Sequence, residues 1–169
     1  MVNTGSVFGL FVDDLIVWDD SGSEFTGELT AEHRLRAVVP TADGAGGVQW
    51  TPLSGANYTN VDEVSYDSDT TYVSETTIGD IDYYNAPSLG WTPVSIKGIV
   101  VESIGRLDTG THSWRNKLKS STTVSNGVSK AATTTYRKTQ DFYTFDPHTS
   151  ALWTKANVEA AQFGVEFVS

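Results

Sequence analysis

At 169 residues with a net charge of −10, the chain has room for one domain with a sizeable core. Cysteine is absent, which excludes disulfide staples, thiol catalysis and cysteine zinc sites. No run approaches the ~20 apolar residues of a membrane-spanning helix, and the acidic balance repels phosphate, so neither a membrane nor a nucleic acid is an expected partner.

The charge is unevenly placed. Residues 1–85 hold 15 Asp and Glu against Arg34 and Arg36 alone, a net −13, while residues 86–169 hold 6 acids against 9 bases, a net +3. Solubility accounts for such a pattern. So do complementary faces that let copies or a neighbour dock acidic side to basic side. Thr, Val and Ser are the commonest residues, a bias toward strands and turns.

The opening residues, Met1-Val2-Asn3-Thr4-Gly5, lack a basic patch followed by an apolar stretch, so Sec export is not expected. The first predicted strand covers residues 8–18. It carries the pair Asp13-Asp14 within Phe11-Val12-Asp13-Asp14-Leu15-Ile16-Val17-Trp18, and the turn Asp19-Asp20-Ser21-Gly22-Ser23 follows. Side chains alternate along a strand, so Asp13 and Asp14 point to opposite faces, and at least one meets a packed layer or a partner. A second alternating run, residues 34–39, stops at Pro40 ahead of the turn-like Asp43-Gly44-Ala45-Gly46-Gly47.

Residues 41–93 are the least regular part. They are polar and Gly-rich with interspersed Trp50, Tyr58, Tyr66, Tyr72, Tyr83, Tyr84 and Trp91, and read as short strands plus an excursion that wraps the domain or reaches a neighbour. Residues 95–107 form a long strand, with Ile99, Val101 and Leu107 on one face and Ile96, Val100 and Ile104 on the other.

The cleanest alternation follows, with Trp114, Asn116 and Leu118 facing one way and Arg115, Lys117 and Lys119 the other. Asn126-Gly127 between Val124 and Val128 has the form of a two-residue hairpin turn, and residues 136–145 are a strand closed by Asp146-Pro147. Thr154 caps a short helix over residues 155–162, with Trp153 and Val158 as its hydrophobic staple. Phe163, Val165 and Phe167 mark the inward face of a last strand. The whole reads as all-β: a single antiparallel β-sandwich domain over residues 1–169, jelly-roll-like, with one short C-terminal helix and an irregular excursion at about 41–93.

Several pieces in order resemble a group of small β-rich virion proteins of tailed bacteriophages. They are Phe11-Val12-Asp13-Asp14-Leu15 with its turn, Pro40-Thr41-Ala42-Asp43-Gly44, Gln49-Trp50-Thr51-Pro52 and Asn60-Val61-Asp62-Glu63. Asp67-Ser68-Asp69-Thr70-Thr71-Tyr72-Val73, Asp146-Pro147, Trp153-Thr154, Val158, Ala160-Ala161 and Phe163-Gly164-Val165 complete the set. The resemblance implies a concanavalin-like jelly roll and a multi-copy structural component of the virion, attached to head or tail, with no catalytic residues to carry over. The implied partners are other virion proteins and copies of this chain, and the implied location is the particle itself, made in the bacterial cytoplasm.

Asp13, Asp14, Asp19, Asp20, Asp67 and Asp69 are candidate oxygen ligands for a structural calcium ion. No Asp-x-Asp-x-Asp-Gly loop with a distal Glu accompanies them, so turn capping is the preferred reading and no cofactor is expected. The acidic half could supply a glycosidase pair, but the alternating Glu-x-Asp-x-x-Glu strand of jelly-roll glucanases is missing, and so is a serine elbow. His33, His112 and His148 read as exposed or capping residues. The chain is therefore not expected to be an enzyme.

Candidate interface residues are the basic row Arg115, Lys117 and Lys119 and the aromatics Trp50, Trp91, Tyr83 and Tyr84. The competing function is a glycan-binding receptor module of a tail or fibre, in which those aromatics stack on host surface sugars.

Overall fold

Paired strands dominate the architecture, in keeping with the composition. The computed structural model describes residues 35–169; the chain divides after Arg36, and Ala37–Ser169 is one compact unit. The strand predicted over residues 8–18, with Asp13, Asp14, Asp19 and Asp20, lies outside the described residues, as does His33.

In chain order the elements are β1 (Ala42–Val48), β2 (Thr51–Pro52), a 3-10 turn (Asn57–Asn60), β3 (Val73–Ser74), β4 (Ile81–Asn85) and β5 (Ile99–Gly105). Then come β6 (Ser113–Ser120), β7 (Thr123–Asn126), β8 (Lys130–Ala131), β9 (Arg137–Tyr143), β10 (Phe145–Asp146), β11 (Ala151–Leu152), α1 (Lys155–Ala160) and β12 (Gln162–Phe167).

The main sheet is antiparallel, in the order β1-β4-β12-β6-β7. The short β8 lies beyond β7 along the same edge of β6, pairing Ser113 and Trp114 while β7 pairs Lys117 to Ser120. β5 and β9 form a separate two-stranded ribbon in register from Ile99↔Tyr143 to Gly105↔Arg137.

Directly opposed residues share a face, so the registers define the inner surface. Tyr84, Phe163 and Leu118 make one row across β4, β12 and β6, and Asp82, Val165 and Asn116 make the next. The ribbon covers the β6 half of this surface. Val101, Leu118, Trp153 and Ala161 form the core there, with Ile96, Ile99, Tyr143, Val158 and Phe163 packed around them. Over the β4 half the second layer is polar chain, residues 49–60, held by hydrogen bonds rather than by apolar packing.

This split explains an unusual core. Among the described residues, the largest side chains with under 2 % exposure are Leu118, Asn60, Asn116, Asp82 and Asp146, of which only Leu118 is apolar. Buried polar groups on this scale specify one arrangement, because any other leaves them unpaired. Asn116 serves the ribbon side: it accepts from the Ser103 hydroxyl at 2.6 Å and donates to the Val101 carbonyl at 3.1 Å and to Asp141 at 2.9 Å. Trp114 adds an indole N–H to the Ser103 hydroxyl at 3.0 Å.

The alternation along β6 holds, with Trp114, Asn116 and Leu118 all buried. The helix also forms as its cap predicts. Thr154 Oγ1 accepts from the Asn157 N–H at 3.1 Å, and Trp153 and Val158 both join the core. Glu159 ties α1 to the chain before β5, accepting from Lys155 Nζ, the Ser88 hydroxyl and the Leu89 N–H.

Four expectations need correction. Residues 35–41 form no strand, and the run read as a turn after Pro40 is itself β1. Its glycines are there because Tyr83 lies across them. A Cβ on Gly44 would sit 2.8 Å from the Tyr83 carbonyl group, and one on Gly46 would sit 2.6 Å from the Tyr83 ring. Of the short strands expected within residues 41–93, β1 and β4 are full members of the main sheet.

The strand predicted over residues 95–107 spans only β5, because Gly98 lies under the Phe142 ring and breaks the alternation; Ile96 turns back to bridge Trp153. Finally, the β6–β7 hairpin turns at Ser121-Thr122, with Ser121 at φ +51°, and not at Asn126-Gly127. Gly127 instead donates its N–H to Asn116 at 2.8 Å, in a spot where any Cβ would collide with the Asp141 carboxylate.

Candidate functional site

Four polar clusters carry the chemistry of the described residues, and what each side chain is bonded to decides what it can do. The first centres on Asp82, in the middle of β4 and wholly buried. Its Oδ1 accepts from the backbone N–H groups of Gln49 (2.6 Å) and Trp50 (2.8 Å), and its Oδ2 from Asn57 Nδ2 (2.6 Å) and the Tyr84 hydroxyl (2.9 Å). Burial, and then the Asp82 charge, push the Tyr84 phenol well above its ordinary range, so it stays a donor. Asn57 also donates to the Trp50 carbonyl at 2.6 Å, so the glycosylation-like Asn57-Tyr58-Thr59 is a buried hinge of this cluster.

The second centres on Asp146, also wholly buried, beside a cavity of about 330 Å³ that includes Ser120, His148, Thr149 and Asn157 in its wall. Serine, histidine and aspartate around one cavity invite a hydrolytic reading. The bonds run otherwise. Asp146 accepts from the His148 backbone N–H, the Thr149 hydroxyl and Asn157 Nδ2, while the exposed His148 ring faces Thr123 Oγ1 at 3.1 Å. The imidazole thus pairs with Thr123 rather than with Ser120, and no base stands ready to activate the serine. Burial pushes the Asp146 carboxyl up, but its hydrogen bonds outweigh that and hold the group below its usual range.

The third cluster takes the predicted basic row. On the sheet's other face Arg115 grips Glu166 with two bonds of 2.9 Å, and Lys117 Nζ reaches the same carboxylate at 2.7 Å. Lys117 is buried, and Lys119 lies 6.0 Å over the Tyr83 ring. The row is therefore engaged within its own chain. Burial pushes the Glu166 carboxyl up; bonds and charge from Arg115 and Lys117 outweigh that and lower it.

The fourth lies where the 61–72 loop meets the ends of β5 and β9. Tyr136 donates to Asp69 at 2.6 Å, Arg106 Nε donates to the same oxygen at 3.0 Å, and Arg106 also pairs with Asp108. The Tyr66 ring packs 5.4 Å from Tyr136, and the Arg106 guanidinium stands over the Tyr136 ring at 5.7 Å.

The other sequence candidates fall as follows. Tyr83 and Tyr84 are buried at 3 % and 4 % exposure, which removes them from any accessible surface. Trp50 is half-buried, its indole N–H spent on the Asp80 carbonyl, and Trp91 is half-buried too. The exposed aromatics in this region are Tyr66 and Tyr72.

Asp67 accepts from the Thr71 N–H and hydroxyl and Asp69 from Arg106 and Tyr136, so the two do not converge. Among the described residues no three His, Asp or Glu side chains are arranged to hold a metal ion. His112, read as exposed or capping, is half-buried and packs 5.0 Å from Phe167. Asp82 and Asn116 were not singled out from sequence for a role, although a lone acid or amide inside an apolar strand was the available signal. Compared with known proteins, the chain matches no family model, no curated protein and no solved structure.

Proposed function

We propose that the chain is a non-enzymatic structural protein of a tailed-phage particle, present in many copies and attached to the head or tail surface through shape and charge. The observation that carries this reading is the saturation of its buried carboxylates. Asp82 accepts from four donors and Asp146 from three, so the acid groups inside the domain fasten loops rather than await a substrate.

Apolar surface adds support. Val100 and Phe142 oppose each other on the ribbon's outer face, as do Phe145 and Leu152 on the β10–β11 hairpin, and all four are about half exposed. Apolar cross-strand pairs left in water suit a surface that a neighbour covers. The ordered run of phage-like sequence pieces points the same way. The test is to quantify the protein in purified particles by mass spectrometry and locate its density in images of them. Absence from the particles overturns the proposal.

One observation favours glycan binding as a second reading. Tyr66, 57 % exposed, and Tyr136 form an aromatic step beside Asp69 and Arg106, which is the pairing of ring face with charged hydrogen-bonding groups that suits a sugar. Binding on a glycan array that disappears in Tyr66→Ala, with particle attachment intact, would select it.

A further inference from the structure

The cations of β6 are answered by Glu166, but a second basic group has no such answer. Lys130 on β8 and Arg137 and Lys138 on β9 surround a cavity of about 170 Å³, with Trp114, Ala131 and Thr139 completing its wall. Neither Lys130 nor Arg137 has an ion-pair partner among the described residues. Lys138 meets Glu102 at 2.8 Å, but both side chains are substantially exposed (55 % and 35 %), so water competes with that pair. Two cations without an ion-pair partner, Lys130 and Arg137, therefore line one opening, while the Lys138 side chain alternates to the ribbon's outer face with Glu102 and Phe142.

The opposite feature sits in the 61–80 segment, which carries Asp62, Glu63, Asp67, Asp69, Glu75 and Asp80 and no Lys or Arg. Asp69 is engaged by Arg106. Glu63 and Asp67 instead share one weak donor: the Thr71 hydroxyl lies 2.6 Å from a Glu63 oxygen and 2.8 Å from an Asp67 oxygen. A hydroxyl has one proton, so the two carboxylates are held close with one shared hydroxyl, a Thr71 N–H 3.4 Å from Asp67 as the further donor, and no cation partner among the described residues. Like charges so placed gain from a cation delivered from outside.

We propose that the Glu63–Asp67 carboxylate pair of one copy docks at the Lys130–Arg137 cavity of a second copy. The inference rests on the multi-copy assembly reading above and supplies its contact. Arg137 offers a planar fork to a carboxylate, and Lys130 offsets the remaining charge. Tyr66 and Asp69 of the loop already contact Tyr136, next to Arg137, so loop and cavity lie close together on one chain. Two copies can then exchange loop for cavity reciprocally in a symmetric dimer.

The test is sedimentation velocity of the full chain at about 0.05 M and about 0.5 M salt. Concentration-dependent association at low salt should weaken at least ~10-fold at high salt. Lys130→Glu/Arg137→Glu touches no internal hydrogen bond of the described residues and should leave a folded monomer. Glu63→Lys/Asp67→Lys should be monomeric alone. Mixing the two reversed variants should restore association, because each then offers the charge the other lacks.

Wild-type protein that stays monomeric at low salt, or association unchanged in the Lys130/Arg137 variant, overturns the inference. So does a mixture that fails to associate while both variants keep the wild-type circular dichroism and melting curve. Particles that retain the Lys130/Arg137 variant at full occupancy refute this contact and leave the assembly reading standing. Particles lacking the wild-type protein refute the assembly reading itself.

Discussion

Removing the Asp82 carboxylate tests the principle on which half of this fold rests, that hydrogen bonds to one buried acid hold the polar layer over β4. In Asp82→Ala four donors lose their acceptor at once, two of them backbone N–H groups that no rotamer change can redirect. A buried donor left unpaired costs about 1–3 kcal/mol, and partial rearrangement of Asn57 and Tyr84 should recover some of the total. The expected loss is about 4–6 kcal/mol, comparable to the whole stability of many domains of this size.

Asp82→Asn keeps one acceptor oxygen, which should turn to the two backbone N–H groups and leave its NH₂ facing Asn57. About 2–3 kcal/mol is expected there. Urea unfolding followed by tryptophan fluorescence gives the totals, and hydrogen exchange localises them: the Gln49 and Trp50 amides should lose protection well before those of β6. If Asp82→Ala lies within about 1 kcal/mol of wild type, or if those two amides stay protected, the carboxylate is not the anchor.

Three further outcomes are expected. Glu166→Gln should destabilise by about 2–3 kcal/mol because it strands Arg115 and the buried Lys117, whereas Lys117→Met leaves the Arg115–Glu166 fork intact and should cost under ~1 kcal/mol; denaturant midpoints give the ranking. Trp153→Ala should cost about 3–5 kcal/mol in the same measurement, since the ring is 3 % exposed and its N–H bonds the Tyr143 carbonyl at 2.9 Å. The Glu159 carboxyl is pulled down to about 2 from an ordinary 4.5, first by Lys155 and then by Ser88 and the Leu89 N–H. Its folded value is depressed, so its contribution is present above pH about 4.5 and lost as the pH falls toward 2. Stability measured across that window should fall less steeply in Glu159→Gln than in wild type.

The parts of the fold legible in the sequence were those where one residue's chemistry settles its place locally. Alternation settled β6, a threonine before a short helical run settled the α1 cap, and Trp153 and Val158 settled its docking. The all-β class followed from composition and turn spacing. What escaped depends on partners distant in sequence. The β1 glycines read as a turn because only Tyr83, some 40 residues away, reveals that they are a bed for a ring. Asn126-Gly127 satisfied the local rule for a hairpin, yet Ser121-Thr122 took the turn and left Gly127 to make room for Asp141. At the candidate sites, alternation placed Arg115, Lys117 and Lys119 on one face correctly, but nothing local announced that Glu166, from the neighbouring strand β12, would occupy two of them.

The place of β12 in the main sheet also bears on how the protein is made. It leaves the ribosome after both β4 and β6, yet it sits between them and hydrogen-bonds to both. Until it emerges, the nascent sheet is two separate halves, each with a bare edge open to pairing with any other chain nearby. Synthesis at high level should thus pass through an aggregation-prone interval that closes only when Gln162–Phe167 slides in, and slower translation or a holding chaperone should raise the yield of soluble protein.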